Sequence, residues 1–590
     1  MTKATTRPLP TLTADQISKL EAQGCSSTDW SRVRLHPESD LSLIRDVEME
    51  GDVEIGLLDA SRYPGCGLRS LTLRDCRIAD GVRLRHIPGG LHGVSIGNEA
   101  TIENTARIHC EPHAPCGLGS HVSVLDVTGS REVVIYPGLS AQQAVLMARG
   151  SKSDAEEIRL QAAEYAEQIP MPDHIGAKAT IRDCGPLTNV IVGSDVTIEG
   201  ATRLCDGCIF SNTLPGKSIA YIGAGVDAEH FIIEDGIVDA GALIRNCYIG
   251  QGARLEKGFT AHDSLFFANC SLENGEACAL FAGPYTVSMH KGTLLIGCQT
   301  SFMNAGSSTN QSNHMYKLGP VHWGVLERGV KTSSNSYLML GANIGAFSLL
   351  MGDHKTHPDS REFPFSYLFG DPSGATVVVP AVMLRSCGLL RDEKKWPSRD
   401  RRRRRGMEMR DRVIFNVLNP CTIEAMLQAI PTIRQLMLRP ADDDRYIRYK
   451  GMKLSRASLE RAIKLYGIAV LKYLSMTLEG SEIPERPTSE EEAARDAEIW
   501  IDLAGQPMPR RYLQAALEAD GIAAREKIFD EAFERYEELQ RLWIGAALPD
   551  EFRLPKEQIE LGAAEFDRIV EQDRENYRAG LSAELTMLAL

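Results

Sequence analysis

Ile175-Gly-Ala-Lys-Ala-Thr-Ile181 and Val192-Gly-Ser-Asp-Val-Thr-Ile198-Glu-Gly-Ala-Thr-Arg-Leu204 decide the fold. A third stretch, Ile96-Gly-Asn-Glu-Ala-Thr-Ile102-Glu-Asn-Thr-Ala-Arg-Ile108, obeys the same rule. Each block of six opens on an aliphatic residue, follows it with a small or acidic one, and places a small one fifth. So short a period predicts a parallel β-helix, in which short strands stack coil on coil.

The rule begins near Val53-Glu-Ile55-Gly and recurs at Ile78-Ala-Asp-Gly-Val-Arg-Leu84 and Ile222-Gly-Ala-Gly-Val-Asp. It runs through Ile237, Leu243, Ile249 and Leu255 at spacings of six and persists weakly to Val377-Val-Val379. These blocks resemble those of hexapeptide-repeat proteins. That resemblance implies a β-solenoid: a left-handed parallel β-helix with three strands per coil. With about 18 residues and about 4.8 Å of rise per coil, 12 to 16 coils form a rod roughly 60–75 Å long.

Four regions follow from changes in this pattern. Residues 1–45 read as an N-terminal cap, because Ile17 and Leu20 have helical spacing ahead of Gly24. The β-helix spans 46–390, with a helical insertion at about 139–170 centred on Ser153 to Tyr165. Residues 391–414 form a basic linker. From 415 to 590 the chain reads as an α-helical domain, since Ile423, Met426, Ile430 and Ile433, then Leu459, Ile463, Tyr466 and Val470, keep helical spacing.

A formal net charge of -14 argues against a general nucleic-acid binder. No apolar leader and no run of 18 apolar residues occurs, so a cytoplasmic protein without a membrane span is expected. The 14 cysteines therefore read as reduced thiols. Cys205-Asp-Gly-Cys208 falls on the second and fifth slots of a repeat block, which explains it without redox chemistry. The Arg399–Arg405 run suits phosphates, yet pairing with the chain's own carboxylates is the favoured reading.

Residues 300–367 abandon the aliphatic rule and carry the candidate site. His314 is the first candidate general base, because a neutral imidazole can take a proton from an attacking hydroxyl or amine. Asp353 and His354 form a second candidate catalytic pair. His354 and His357 supply only two obvious ligands where a closed zinc site takes four, so no metal is assigned. Asn304, Ser308, Asn310, Asn313, Lys317, Lys331, Asn335 and His357 are the candidate substrate-binding residues, the lysines as phosphate holders.

Glu21-Ala-Gln-Gly-Cys25 with Asp29-Trp30, the run SSTNQSNHMYKLG at 307–319, the run KTSSNSYLMLGANIGAFSLLMGDHKTHPD at 331–359, and Trp396-Pro-Ser-Arg-Asp carry a wider resemblance. They resemble an uncharacterised bacterial family labelled as related to UDP-N-acetylglucosamine pyrophosphorylase. No Gly-rich nucleotide loop precedes the repeats, so what resembles those enzymes is the β-helix. The resemblance implies a transferase acting on a nucleotide-activated or phosphorylated sugar, with acyl transfer ahead of nucleotidyl transfer. His314 is then the base, and acyl-CoA is the implied donor. Homo-oligomers are common on such scaffolds. The alternative is a non-catalytic scaffold or binding protein built on a long β-helix.

Overall fold

The structure, a computed structural model, describes residues 9–126, 128–170, 173–214, 216–313, 322–403, 406–440 and 445–588. The openers of the three quoted stretches lie on one another: Ile102 pairs with Ile181, and Ile181 with Ile198. Upward from there the column continues through Ile222, Val238, Leu255, Leu272 and Ser288 to Ala305. Asn304 opposes Lys331, which sets Thr332 over Ala305, and Leu350 and Leu368 complete the stack. Downward it passes through Leu84 and Leu68 to Ile44. All of these side chains are buried. A parallel, in-register stack sets like residues over like, and each buried aliphatic contributes about 1.5–3 kcal/mol. This is the parallel β-solenoid that the repeats predict.

Corners fall where the chain turns through positive φ. Asp183, Asn189 and Asp195 have φ of 54°, 52° and 59°, again six residues apart. Asp and Asn tolerate this left-handed conformation better than other residues with a Cβ.

A second inward column runs from Ile108 through Leu187, Leu204, Ala228, Ile244, Ala261, Ala277 and Leu295. Leu294 opposes Asn310, so Gln311 is the next inward residue, followed by Leu338 and His354.

The insertion is longer than its helical pattern suggests. Thr101–Glu103 pairs directly with Thr180–Arg182, so the chain leaves the stack after His109 and returns in register. Between them lie an antiparallel hairpin, His121–Ser123 with Glu132–Val134, and two helices. Counting α1 as Ala14–Ala22, these are α2 (Ala141–Arg149) and α3 (Lys152–Gln168). The first solenoid layer also starts early, because Ser26–Ser27 and Val33–Leu35 pair with Ile44–Ile55 inside the region read as a cap.

The 391–414 segment is not a free linker. Cys387–Arg399 forms helix α4. Beyond it Arg402 is buried against Asp400, with Nε and Nη2 donating to the two carboxylate oxygens at 3.0 and 2.9 Å. Arg401 donates its backbone N–H to Asn269 and a guanidinium N–H to the Gly252 carbonyl, which pins the run onto the solenoid.

The C-terminal region is helical with two hairpins in it. Its helices are α5 (Pro420–Met437), α6 (Leu459–Leu478), α7 (Glu490–Asp496), α8 (Arg510–Glu518), α9 (Ile522–Glu534), α10 (Tyr536–Ala547) and α11 (Lys556–Leu588). One hairpin, Tyr446–Tyr449 with Met452–Ser455, pairs with Thr376–Val379 at the end of the stack. Thr376–Val379 itself runs antiparallel to Tyr367–Gly370, so a reversed strand closes the last parallel coil. Among the described residues no helix is long and apolar enough to cross a membrane.

Candidate functional site

The third face of the solenoid breaks the alternation of buried and exposed side chains. Ile191 and Val192, Cys208 and Ile209, Ile232 and Ile233, and Phe281 and Ala282 are all buried. Period-2 exposure requires one wet face, and here both are covered. Helix α2 lies outside this face, and its Gln142 and Gln143 donate to the carbonyls of Leu503 and Ile522 at 3.2 and 3.1 Å.

Higher on the same face the outward layer becomes polar at Gln299 and the cover parts around a cavity of about 270 Å³. Gln299, Thr300, Val325 and Glu327 form the solenoid wall, with Arg149 from the end of α2 and Arg361 from a nearby loop. Opposite them stand Asn419, Cys421 and Thr422 at the start of α5, and the hairpin residues Trp500, Ile501 and Asp502. Asn419 caps α5 by accepting the Cys421 N–H at 3.1 Å, and Pro420 opens the helix. The positive end of the α5 dipole therefore faces the cavity.

Glu327 is the titratable group that this arrangement prepares. Burial pushes its carboxyl up to about 7, opposed by the Arg361 charge and by the Ala346 N–H, which donates to it at 3.1 Å. Arg149 donates to Gln299 at 3.0 Å, and burial lowers its pKa. Its guanidinium also lies 5.8 Å from the Trp323 ring centre. Arg361 is held by Asp359, with Nε donating at 2.9 Å. A carboxyl that titrates near neutrality, beside two guanidinium groups and a helix N-terminus, can exchange a proton next to a bound anion.

Arg328 has a different task. It is buried and donates to Asp502 at 2.6 Å, to the Ile414 carbonyl at 2.5 Å and to the Gly505 carbonyl at 2.7 Å. It also lies 4.6 Å from the Phe302 ring centre. These bonds clamp the Trp500–Leu503 hairpin to the solenoid and hold the cavity's two walls together.

The sequence-derived candidates fall in several separate places. His314 and Lys317 lie outside the described residues. His354 belongs to the interior: it fills a slot taken elsewhere by Ile108 and Leu187, is fully buried, and bonds through Nδ1 to Thr376 Oγ1 at 2.9 Å. Burial pulls its pKa down to about 4, so it is held neutral and out of reach of a solvent-borne substrate. Asp353, one residue before it, points outward and meets Lys355 at 3.5 Å, so Asp353 and His354 do not form a catalytic pair.

Ser308, Asn310, Asn335 and Asp353 do converge, with Tyr337 and Lys355, around a shallow hollow of about 310 Å³ on the outer face. Asn304 is exposed on an edge residue of its strand, and Lys331 is neutralised by Asp392 at 2.6 Å. Asn313 is buried with its Nδ2 lacking a partner among the described residues, and His357 bonds through Nδ1 to the Leu340 carbonyl at 2.6 Å. The segment 300–367 also contributes Thr300, Glu327 and Arg361 to the lining of the cavity, three residues that the sequence reading did not single out. The available signal was Glu327-Arg328, a charged pair set directly after the apolar strand Gly324–Leu326.

Cys208 is buried, but not in the inward slot the repeat suggests: the corner at Asp206 comes early, and Cys208 lies in the outward layer that runs through Ile232, Tyr248, Leu265 and Phe281 to Gln299, under the cover of the third face. Burial drives its thiol pKa well above the ordinary value.

Fold and cavity together define a parallel β-solenoid whose third face is roofed by helices over a cavity lined by Glu327, Arg149 and Arg361. The chain belongs to the domain of unknown function family DUF4954, whose model matches residues 9–437. That span holds Glu327, Arg361 and the start of α5, while Trp500 to Asp502 lie beyond it. No curated protein matches the chain.

Proposed function

We propose that this chain is a transferase acting on a small phosphorylated sugar bound in the cavity between the solenoid and the C-terminal region. The observation that carries the reading is Glu327, a carboxyl at about 7 in a pocket bordered by Arg149 and Arg361. Two guanidinium groups and the α5 N-terminus suit a phosphate. The volume of about 270 Å³ suits a phosphorylated monosaccharide better than a whole nucleotide sugar. In this reading the relation to UDP-N-acetylglucosamine pyrophosphorylases and to hexapeptide-repeat acyltransferases lies in the scaffold and in the sugar-phosphate class of substrate.

The transfer would be to a hydroxyl or amine of the sugar. Glu327 as carboxylate takes the proton while the oxygen or nitrogen attacks the carbonyl carbon of an acyl thioester. The carbon–sulfur bond breaks, and the proton passes from Glu327 to the departing thiolate. Acyl-CoA is the donor that this step names.

The test screens acyl-CoA turnover against a panel of sugar phosphates with wild type, Glu327→Gln and His314→Ala. Loss of at least about 100-fold in Glu327→Gln alone supports Glu327 as the base. Equal loss in His314→Ala alone returns the role to His314. No turnover, and no thermal shift with any sugar phosphate, favours the scaffold reading, which draws support from the interior placement of His354.

A further inference from the structure

We infer that the groove between α4 and α11 is a second binding site, taking a compact nucleotide with at least two phosphates. The groove encloses about 450 Å³ and is rimmed by Arg391, Lys394, Lys395, Arg574 and Arg578. In a chain with a net charge of -14 this concentration of cations is a local reversal of sign. Its floor is apolar, made by Cys387 and Leu390, and Tyr577 stands at its edge with 66% of its surface exposed.

The nearby carboxylates do not cancel this charge. Asp573 is engaged by the Cys387 N–H at 3.0 Å, which ties α11 to the start of α4. Asp392 is shared between Lys331 at 2.6 Å and Arg391 at 3.3 Å, and Glu571 holds Arg574 at 2.6 Å. Lys394, Lys395 and Arg578 have no carboxylate within ion-pair distance among the described residues. Unpaired cations of this kind seek phosphate oxygens, guanidinium groups by two-pronged bonds and ammonium groups as point charges.

Three features select a nucleotide over other polyanions. An exposed tyrosine beside the cations offers a face on which a base stacks. The apolar floor accepts a ring and repels a bare inorganic anion. The groove is short, and the chain's net charge of -14 opposes a long nucleic acid strand. This site is separate from the Glu327 cavity, which has none of these residues in its lining. Helix α4 lies between the two, since its Trp396 packs on Phe302 at 4.6 Å and Phe302 lies under Arg328.

The test is calorimetric titration of the full chain with ADP, pyrophosphate and adenosine, at low and at physiological salt. The variants are Lys394→Glu/Lys395→Glu and Tyr577→Ala, all surface changes. ADP should bind more tightly than either fragment, and added salt should weaken it. The double charge reversal should lower ADP and pyrophosphate affinity by at least about tenfold. Tyr577→Ala should weaken ADP and leave pyrophosphate unchanged. ADP binding that survives the charge reversal, or no ADP binding at about 5 mM, overturns the assignment. So does preferential binding of an oligonucleotide or an acidic peptide over ADP. Failure here leaves the Glu327 reading intact, because that reading predicts sugar-phosphate turnover and not ADP affinity.

Discussion

Arg328 and Asp502 meet at 2.6 Å across 174 residues of sequence, and their contact joins the solenoid to the C-terminal hairpin. Arg328 is nearly inaccessible and its other N–H groups are taken by two backbone carbonyls. Removing the carboxylate leaves a buried cation without its counter-charge. Asp502→Asn should therefore cost about 3–5 kcal/mol, read from urea unfolding. An exposed pair such as Arg568 with Glu565 serves as the control, since breaking it should cost less than about 1 kcal/mol. Equal losses at the two sites would remove the clamp role.

Glu327 imposes a pH dependence whose direction follows from its shift. Its carboxyl rises from 4.5 to about 7 on folding, so the folded state holds the proton more tightly than the unfolded chain. That advantage is full below about 4.5 and disappears as pH rises through 7. The loss amounts to at most about 3 kcal/mol. Glu327→Gln cannot ionise, so its stability should exceed that of wild type increasingly between pH 5 and 8. A pH profile of unfolding midpoints that is parallel for the two proteins would count against a buried, titrating Glu327.

His354 works in the opposite direction. Its ring falls from 6.5 to about 4, so the unfolded chain takes up a proton that the folded protein refuses. Stability is lost as pH falls from about 6.5 toward 4. His354→Leu restores the aliphatic residue found lower in the same column and should flatten this acid limb. At pH 7 the change should cost no more than about 1.5 kcal/mol, through the lost bond to Thr376. Thermal melts from pH 4 to 8 separate the two effects, and unchanged turnover of the proposed reaction at pH 7 would agree with an interior role.

Within the main column, position decides what a substitution does. Ile198→Ala removes a fully buried branched side chain and should destabilise by about 2–5 kcal/mol. Ser288 fills an equivalent slot, yet its buried Oγ has no hydrogen-bond partner among the described residues. Ser288→Ala should therefore be neutral or slightly stabilising, within about 1 kcal/mol. A large loss at Ser288 would mean that its hydroxyl has a role the interior packing does not require.

The six-residue rule was enough to read the solenoid, because neighbours in a parallel stack are set by local repetition. Ile102, Ile181 and Ile198 announce their shared column before any coordinates exist. Even the polar layers of that column, Ser288 and Thr332, are visible as departures from the rule. What those departures meant was not visible. Thr332 Oγ1 is bonded to Thr309 Oγ1 at 2.6 Å, and Gln311 accepts the Ile296 N–H at 2.9 Å, so part of the polar run is interior satisfaction and not a site.

Local periodicity thus determined the strands, their register and the inward residues of the first two faces. It also placed the helices of the C-terminal region, whose apolar spacing is a local property. Only the tertiary structure decided the site. Glu327, Arg149, Cys421 and Asp502 are scattered along the chain, and the cavity exists because α2 and the C-terminal region cover one face of the solenoid. The raised pKa of Glu327 is a consequence of that cover, since desolvation depends on what surrounds a carboxyl and not on its place in the sequence.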